Sequence, residues 1–214
     1  MTLNLSLWSP KLGDVNFNSQ QAANVGASFG NGAATGNGSN PNNLLQMGDD
    51  GNLALSMVSA GSSPSTTGSD RIMAIFTIPA GGFDIANRGV NIMAAGSSPN
   101  TNSKTVKVIV NPTAPTLGAA VSGGTTIANT TFTGAGSAAG WNTAVNIFKY
   151  GAAGSNTQMC VHESAQCGTV IGTLLGPTNT SFPENAPIVV VITCSAVTAG
   201  ADIVYNFGQV FAMN

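Results

Sequence analysis

The chain has 214 residues, of which 6 are Lys or Arg, 8 are Asp or Glu and one is His, for a formal net charge of −2 and 7% charged residues. Globular domains carry about 25% charged residues, so acid/base chemistry has few groups to work with, and no basic stripe is present to neutralise phosphates, which excludes direct nucleic-acid binding as an expectation. Hydrophobic residues make up 43% of the chain, too many for the low-hydrophobicity, high-charge form of disorder, so the chain should fold.

The first eight residues, Met1 to Trp8, have no basic region and no continuous apolar core, so no secretory signal is expected. No window approaches the roughly 18 apolar residues that span a bilayer, and no membrane partner is expected. Leu3, Leu5 and Leu7 alternate like a strand that needs something to pair with. Together with Trp8 they are the candidate partner-binding residues, because Trp is enriched among interface hot spots. Gly, Asn and Ser crowd 26–43 and 59–69, on either side of a hairpin expected over 44–58, in which the turn Asp49-Asp50-Gly51-Asn52 joins Leu44–Met47 to Leu53–Met57. Residues 1–69 therefore read as an anchoring arm that orders against other subunits, and 70–214 as a separate β domain.

From Asp70 onward, runs of Val, Ile, Thr and aromatics alternate with Gly, Pro and Asn punctuation. Strands are expected at 70–78, 88–95, 104–110, 126–132, 141–150, 156–162, 168–175, 187–195 and 203–212. Helical periodicity is missing from every stretch of about ten residues, so the fold class is all-β. Within 104–110, Val106, Val108 and Val110 share a face while Lys104 and Lys107 fall on opposite faces, which places one lysine at a strand end, an edge or an interface. Pro187 suits the first position of a strand, and the apolar run Ile188–Ile192 behind it predicts burial on both faces. In the last strand, Ile203, Tyr205, Phe207 and Phe211 are expected on one face and Val204, Asn206, Gly208, Val210 and Ala212 on the other.

The residue types that do chemistry are sparse. Cys160 and His162 share one side of a strand, and Cys167 and Cys194 complete the set a Cys₃His zinc site would need, yet neither the C-x₂-C nor the H-x₃₋₅-H spacing is present. No metal is expected; a hairpin carrying buried or half-buried thiols is the reading taken, with a Cys160–Cys167 bridge across that hairpin left open. A Cys/His nucleophile is not favoured without an oxyanion-forming motif. Asp14, Asp49, Asp50, Asp70, Asp84, Glu163, Glu184 and Asp202 are scattered and mostly border turns. The glycine-rich stretches 30–36 and 134–140 lack the Lys-Ser/Thr of a phosphate loop and read as connections.

Five segments resemble, in order, a jelly-roll module common in tailed-phage virion proteins. They are Ile72-Met-Ala-Ile-Phe-Thr-Ile-Pro-Ala-Gly81, Arg88-Gly-Val-Asn-Ile-Met93, Asn102-Ser-Lys-Thr-Val-Lys-Val108, Gly140-Trp141 with Ile147-Phe-Lys-Tyr-Gly151, and Ala201-Asp-Ile-Val-Tyr-Asn-Phe207. The resemblance covers the β domain and leaves the arm aside, and the ending Val210-Phe-Ala-Met-Asn214 departs from it. It implies a jelly-roll β-sandwich with an extended N-terminal arm, no enzymatic residues and no cofactor. In that family the module occurs in capsid decoration (cement) proteins, head fibres and tail-fibre tips, usually as trimers. The function it implies is capsid decoration by a homotrimer on the virion's capsid exterior, with the major capsid protein as partner. The alternative is a tail-fibre or receptor-binding tip that binds host glycans, for which Trp8, Trp141, Tyr150 and Tyr205 are the available aromatics.

Overall fold

A computed structural model describes residues 63–64, 67–83, 85–133 and 139–213, together with the backbone of 45–47 and 53–62. Its strands are β1 (Leu45–Met47), β2 (Leu53–Ser62), β3 (Arg71–Ile78), β4 (Gly89–Ser98), β5 (Lys104–Val110), β6 (Thr125–Phe132), β7 (Ala139–Lys149), β8 (Gln158–Cys167), β9 (Val170–Ile171), β10 (Thr178–Thr180), β11 (Ile188–Ala196) and β12 (Val204–Met213). Among the described residues no α-helix occurs, and a single 3-10 turn lies at Gly200–Asp202. The anchor residues Leu3, Leu5, Leu7 and Trp8 lie outside the described residues, as do Asp14, Asp49, Asp50 and Asp84.

Two antiparallel sheets form the sandwich. One runs β1-β2-β12-β4-β7-β8-β10, with β9 also on β8, and the other runs β3-β11-β5-β6. Setting aside β1 and the β8–β10 addition, eight strands remain. Their first, eighth, third and sixth (β2-β12-β4-β7) face their second, seventh, fourth and fifth (β3-β11-β5-β6), which is the jelly-roll order. The sheet thus takes in β2, from the segment the sequence reading assigned to the arm, and β1 pairs with β2 through Leu45 opposite Leu55 and Met47 opposite Leu53.

The core lies where the alternating apolar faces of the two sheets meet. Phe76, Ile78, Val106, Val108, Val190 and Ile192 come from the smaller sheet, and Ile92, Trp141, Val145, Ile147, Tyr205 and Val210 from the larger. A second cluster explains the uninterrupted apolar run of β11. Val191 packs with Ile72 and Ile109 on the sheet's other face, and Val121 of the 111–121 connection covers them. That connection also closes the free edge of β3, with Ile72 N bonding Ala119 O at 2.9 Å and Gly118 N bonding Ile72 O at 2.7 Å. The two lysines of β5 divide as their faces require. Lys107 pairs with Asp70 at 2.5 Å while half-exposed, and Lys104, at the first position of the strand, turns inward and is buried.

Three expectations are corrected. The strand expected at 168–175 is reduced to Val170–Ile171 and resumes only at Thr178, for a reason given below. Cys160 and Cys167 do not face each other across a hairpin but lie seven positions apart on the single strand β8. At about 3.3 Å per residue that is roughly 23 Å, far beyond the roughly 7 Å a disulfide spans. Finally, a bulge between Tyr205 and Phe207 leaves Asn206 unpaired against β4 and reverses the alternation in β12. Tyr205, Gly208 and Val210 face the core, and Phe207, Gln209 and Phe211 face outward.

Candidate functional site

Two buried polar joints tie the sheets together, one at each end of the sandwich. At the first, Asp202 is buried and accepts from Asn100 Nδ2 at 2.5 Å, Asn102 Nδ2 at 3.0 Å and its own turn's Ala199 N at 3.0 Å. Lys104 Nζ joins it by donating to Asn100 O at 2.5 Å and to Ser98 Oγ. The joint locks the β4–β5 crossing against the β11–β12 crossing, and burial alone would raise the Asp202 carboxyl. The asparagine and backbone N–H donors and the Lys104 charge outweigh that and hold it below the usual aspartate range. Trp141 reinforces this end by donating Nε1–H to Val204 O at 3.0 Å, with its ring 6.4 Å from that of Tyr205. Asp202→Ala leaves three donors unmatched in a buried site and is expected to cost at least about 2 kcal/mol, read as a shift in urea midpoint.

At the opposite end, Lys149 and Glu184 form a buried ion pair. Glu184 also accepts from Gly154 N at 2.8 Å and Gln158 Nε2 at 3.1 Å, while Lys149 Nζ donates to Ser155 Oγ at 2.8 Å. These bonds hold the β7–β8 loop against the β10–β11 connection.

The Cys/His set does not assemble. Among the described residues no group of three or more His, Cys, Asp or Glu side chains could hold a metal ion, and all three cysteines are free and buried. Burial pushes the Cys160 thiol up to about 11, moderated by its contact with Thr180, and raises Cys194 further, with the Asp70 charge adding to the effect. Neither is a thiolate at neutral pH, so neither is a nucleophile. A thiol reagent such as DTNB is expected to titrate no cysteine in the native protein and all three in denaturant; rapid native labelling would contradict this burial. His162 is buried, and the apolar surroundings lower its pKa against a smaller raising influence from the Ser164 backbone.

What the molecule offers outward is a sheet face. Across β12, β4, β7 and β8 the register aligns Phe211 with Asn91, Asn146 and Val161, and in the next row Gln209 with Met93, Ala144 and Ser164. Phe207, Phe148 and Met159 are partly open on the same face. One charged side chain, Glu163, stands on it among the described residues of these strands, at a bulge opposite Ala144 and Val145. Glu163 is tethered by Asn146 Nδ2, whose own Oδ1 accepts from Asn91 Nδ2 at 2.6 Å. Sequence reading left Glu163 among the scattered carboxylates and did not single out Asn91 or Asn146. The period-two alternation of 88–95 and 141–150 places both on the outer face and was the signal available.

No family model matches the chain, and no curated protein matches it. Among solved structures, the CBM2 module of the evolved Dit of Lactobacillus casei BL23 phage J-1 is similar at 12% identity and TM-score 0.34, over 71% of this chain and 75% of that one. The family 7 alginate lyase A1-II′ in complex with its product is similar at 8% identity and TM-score 0.27, over 78% of this chain and 79% of that one. The family 7 alginate lyase AlgAT5 is similar at 7% identity and TM-score 0.23, over 78% of each chain. Likenesses of this size carry nothing about function.

Proposed function

We propose that the chain is a phage virion structural protein, a capsid decoration protein that binds the outer capsid surface as a homotrimer and stabilises the head by bridging capsomers. The observation that carries the reading is where three of the five resemblance segments meet. Asn102 and Lys104 join Asp202, and Trp141 joins Val204 and Tyr205, so the segments converge on fold joints and not on a reactive cleft. A β-sandwich with this little charge is kept from edge and face association chiefly by covering partners. Three modest contacts on one rigid trimer also reinforce each other through effective concentration. The glycan-binding alternative draws less support, since Trp141 and Tyr205 are buried and only Tyr150 of the aromatics named for it is exposed among the described residues.

Purified full-length protein mixed with capsids that lack it is expected to co-sediment with them and to have the mass of three chains by light scattering. A monomer that ignores capsids overturns the proposal, and binding to host cells without binding to capsids moves the protein to a tail tip. Deleting residues 1–40 is expected to leave a folded trimer that no longer attaches; undiminished attachment would assign adhesion to the sandwich instead of to Leu3, Leu5, Leu7 and Trp8.

A further inference from the structure

The outer edge of β8 is covered in three pieces. β9 pairs at Gln166 and Cys167, β10 pairs from Gln158 to Cys160, and between them a strap, 172–177, runs past β8 without continuing the ladder. The strap is held by Gly172 N on Ala165 O at 2.8 Å, by Thr130 Oγ1 on Thr173 O at 3.0 Å, and by Leu175 N on His162 Nδ1 at 3.1 Å. β9 ends at Ile171, and the last bond keeps the ladder from resuming within 168–175: the Leu175 N–H goes to an imidazole nitrogen and not to a carbonyl of β8.

A ring nitrogen that accepts from a backbone N–H carries no proton, so the imidazole proton sits on Nε2 and is donated to Thr143 Oγ1 at 3.0 Å. The Thr143 hydroxyl then donates to Ser164 O at 3.1 Å. The chain of bonds accommodates one neutral tautomer. A proton added from solvent at Nδ1 would set N–H against N–H. Beyond Thr173, where the Gly172 and Thr130 bonds end, little else holds the strap down, because Leu174 and Leu175 are 41% and 36% exposed.

We propose that His162 is an acid-released latch: when Nδ1 is protonated it stops accepting from Leu175, the strap lifts over 174–177 while Gly172 and Thr173 stay bonded, and the edge of β8 opens beside His162. The elements around the ring supply no compensating charge. β6 and 170–180 have no ionisable side chain, and the one ionisable residue of β7, Lys149, is engaged by Glu184 at its far end. On β8 itself, Cys160 and Cys167 are the buried thiols beside His162 on the inward face, and the Glu163 carboxylate is on the outer face with Asn146. The latch stands independently of the virion reading.

The test is hydrogen exchange on the full chain, corrected for intrinsic rates, from about pH 7 down to about pH 4. The Leu175 amide is expected to lose about tenfold or more of its protection while the β11 amides keep theirs. The midpoint of that loss should coincide with the titration of the His162 ring followed by NMR in the same samples. His162→Asn offers an untitratable acceptor close to the position of Nδ1 and should keep the strap protected throughout. Leu175 protection that stays constant while the ring titrates overturns the latch, as does a His162→Asn protein that loses protection over the same range. If that variant does not fold, the two wild-type midpoints decide alone, and disagreement between them rejects the proposal.

Discussion

Glu184→Ala is expected to cost about 3–5 kcal/mol of stability, because it strands the Lys149 ammonium in a site from which water is excluded. Both partners are nearly or completely inaccessible, with side-chain exposures of 0% for Lys149 and 4% for Glu184. The carboxylate is also the acceptor for Gly154 N and Gln158 Nε2, and Gln158 Oε1 in turn receives Phe182 N at 2.8 Å, so its loss unmatches the whole loop cluster. Lys149→Met paired with Glu184→Gln is expected to recover most of the deficit, since a neutral amide retains the backbone donors and no charge remains buried. Urea unfolding of the single and double variants measures both, and a single variant within about 1 kcal/mol of wild type would contradict the buried pair. The pH dependence has a definite sign. Burial raises the Glu184 carboxyl, but the Lys149 and backbone donors outweigh it and leave the folded value below the ordinary glutamate range. The stabilisation is therefore complete above the unfolded glutamate value and disappears as pH falls through the folded one.

Gly96→Ala is expected to be comparably damaging, at about 3 kcal/mol or more. A Cβ at this position would lie inside contact distance of the Val204 carbonyl oxygen and 2.6 Å from Trp141 Nε1. These are the acceptor and donor of one hydrogen bond, so the methyl group displaces both. Relaxation is blocked because Gly96 is laddered to Tyr205 on one side and Trp141 on the other. The expected readout is a lower unfolding temperature with a red-shifted, more exposed Trp141 emission. Gly140→Ala is the control, since its Cβ would meet only Gly96 O, at 3.7 Å. Equal effects at the two glycines would show that close approach at Gly96 is not the cause.

Much of the sandwich is legible as period-two alternation. The segment 104–110 contains its strand to the residue, and the buried run of β11 follows from Ile188–Ile192. The reading fails where the period slips. The bulge that skips Asn206 turns Phe207 and Phe211 outward, and the bulge at Glu163 places Cys160 and Cys167 on the same face despite their odd separation. Residue type does not mark either irregularity. The polar joints are hidden for a different reason: Asn100 and Asp202 bond across 102 positions, a distance at which local spacing carries no information. Their membership in resemblance segments or beside them marked Asn102, Lys104 and Asp202 as belonging to the fold, but not as belonging together.

The place of β2 in the sheet sets where the chain can be trimmed. Cutting at residue 70, the boundary that composition suggests, would strip the strand that covers β12. Val204–Met213 has no charged residue and no proline, and a bare ladder of that kind recruits other chains. A fragment starting at 70 should therefore precipitate on expression, whereas one starting near residue 41, ahead of β1, should stay in solution.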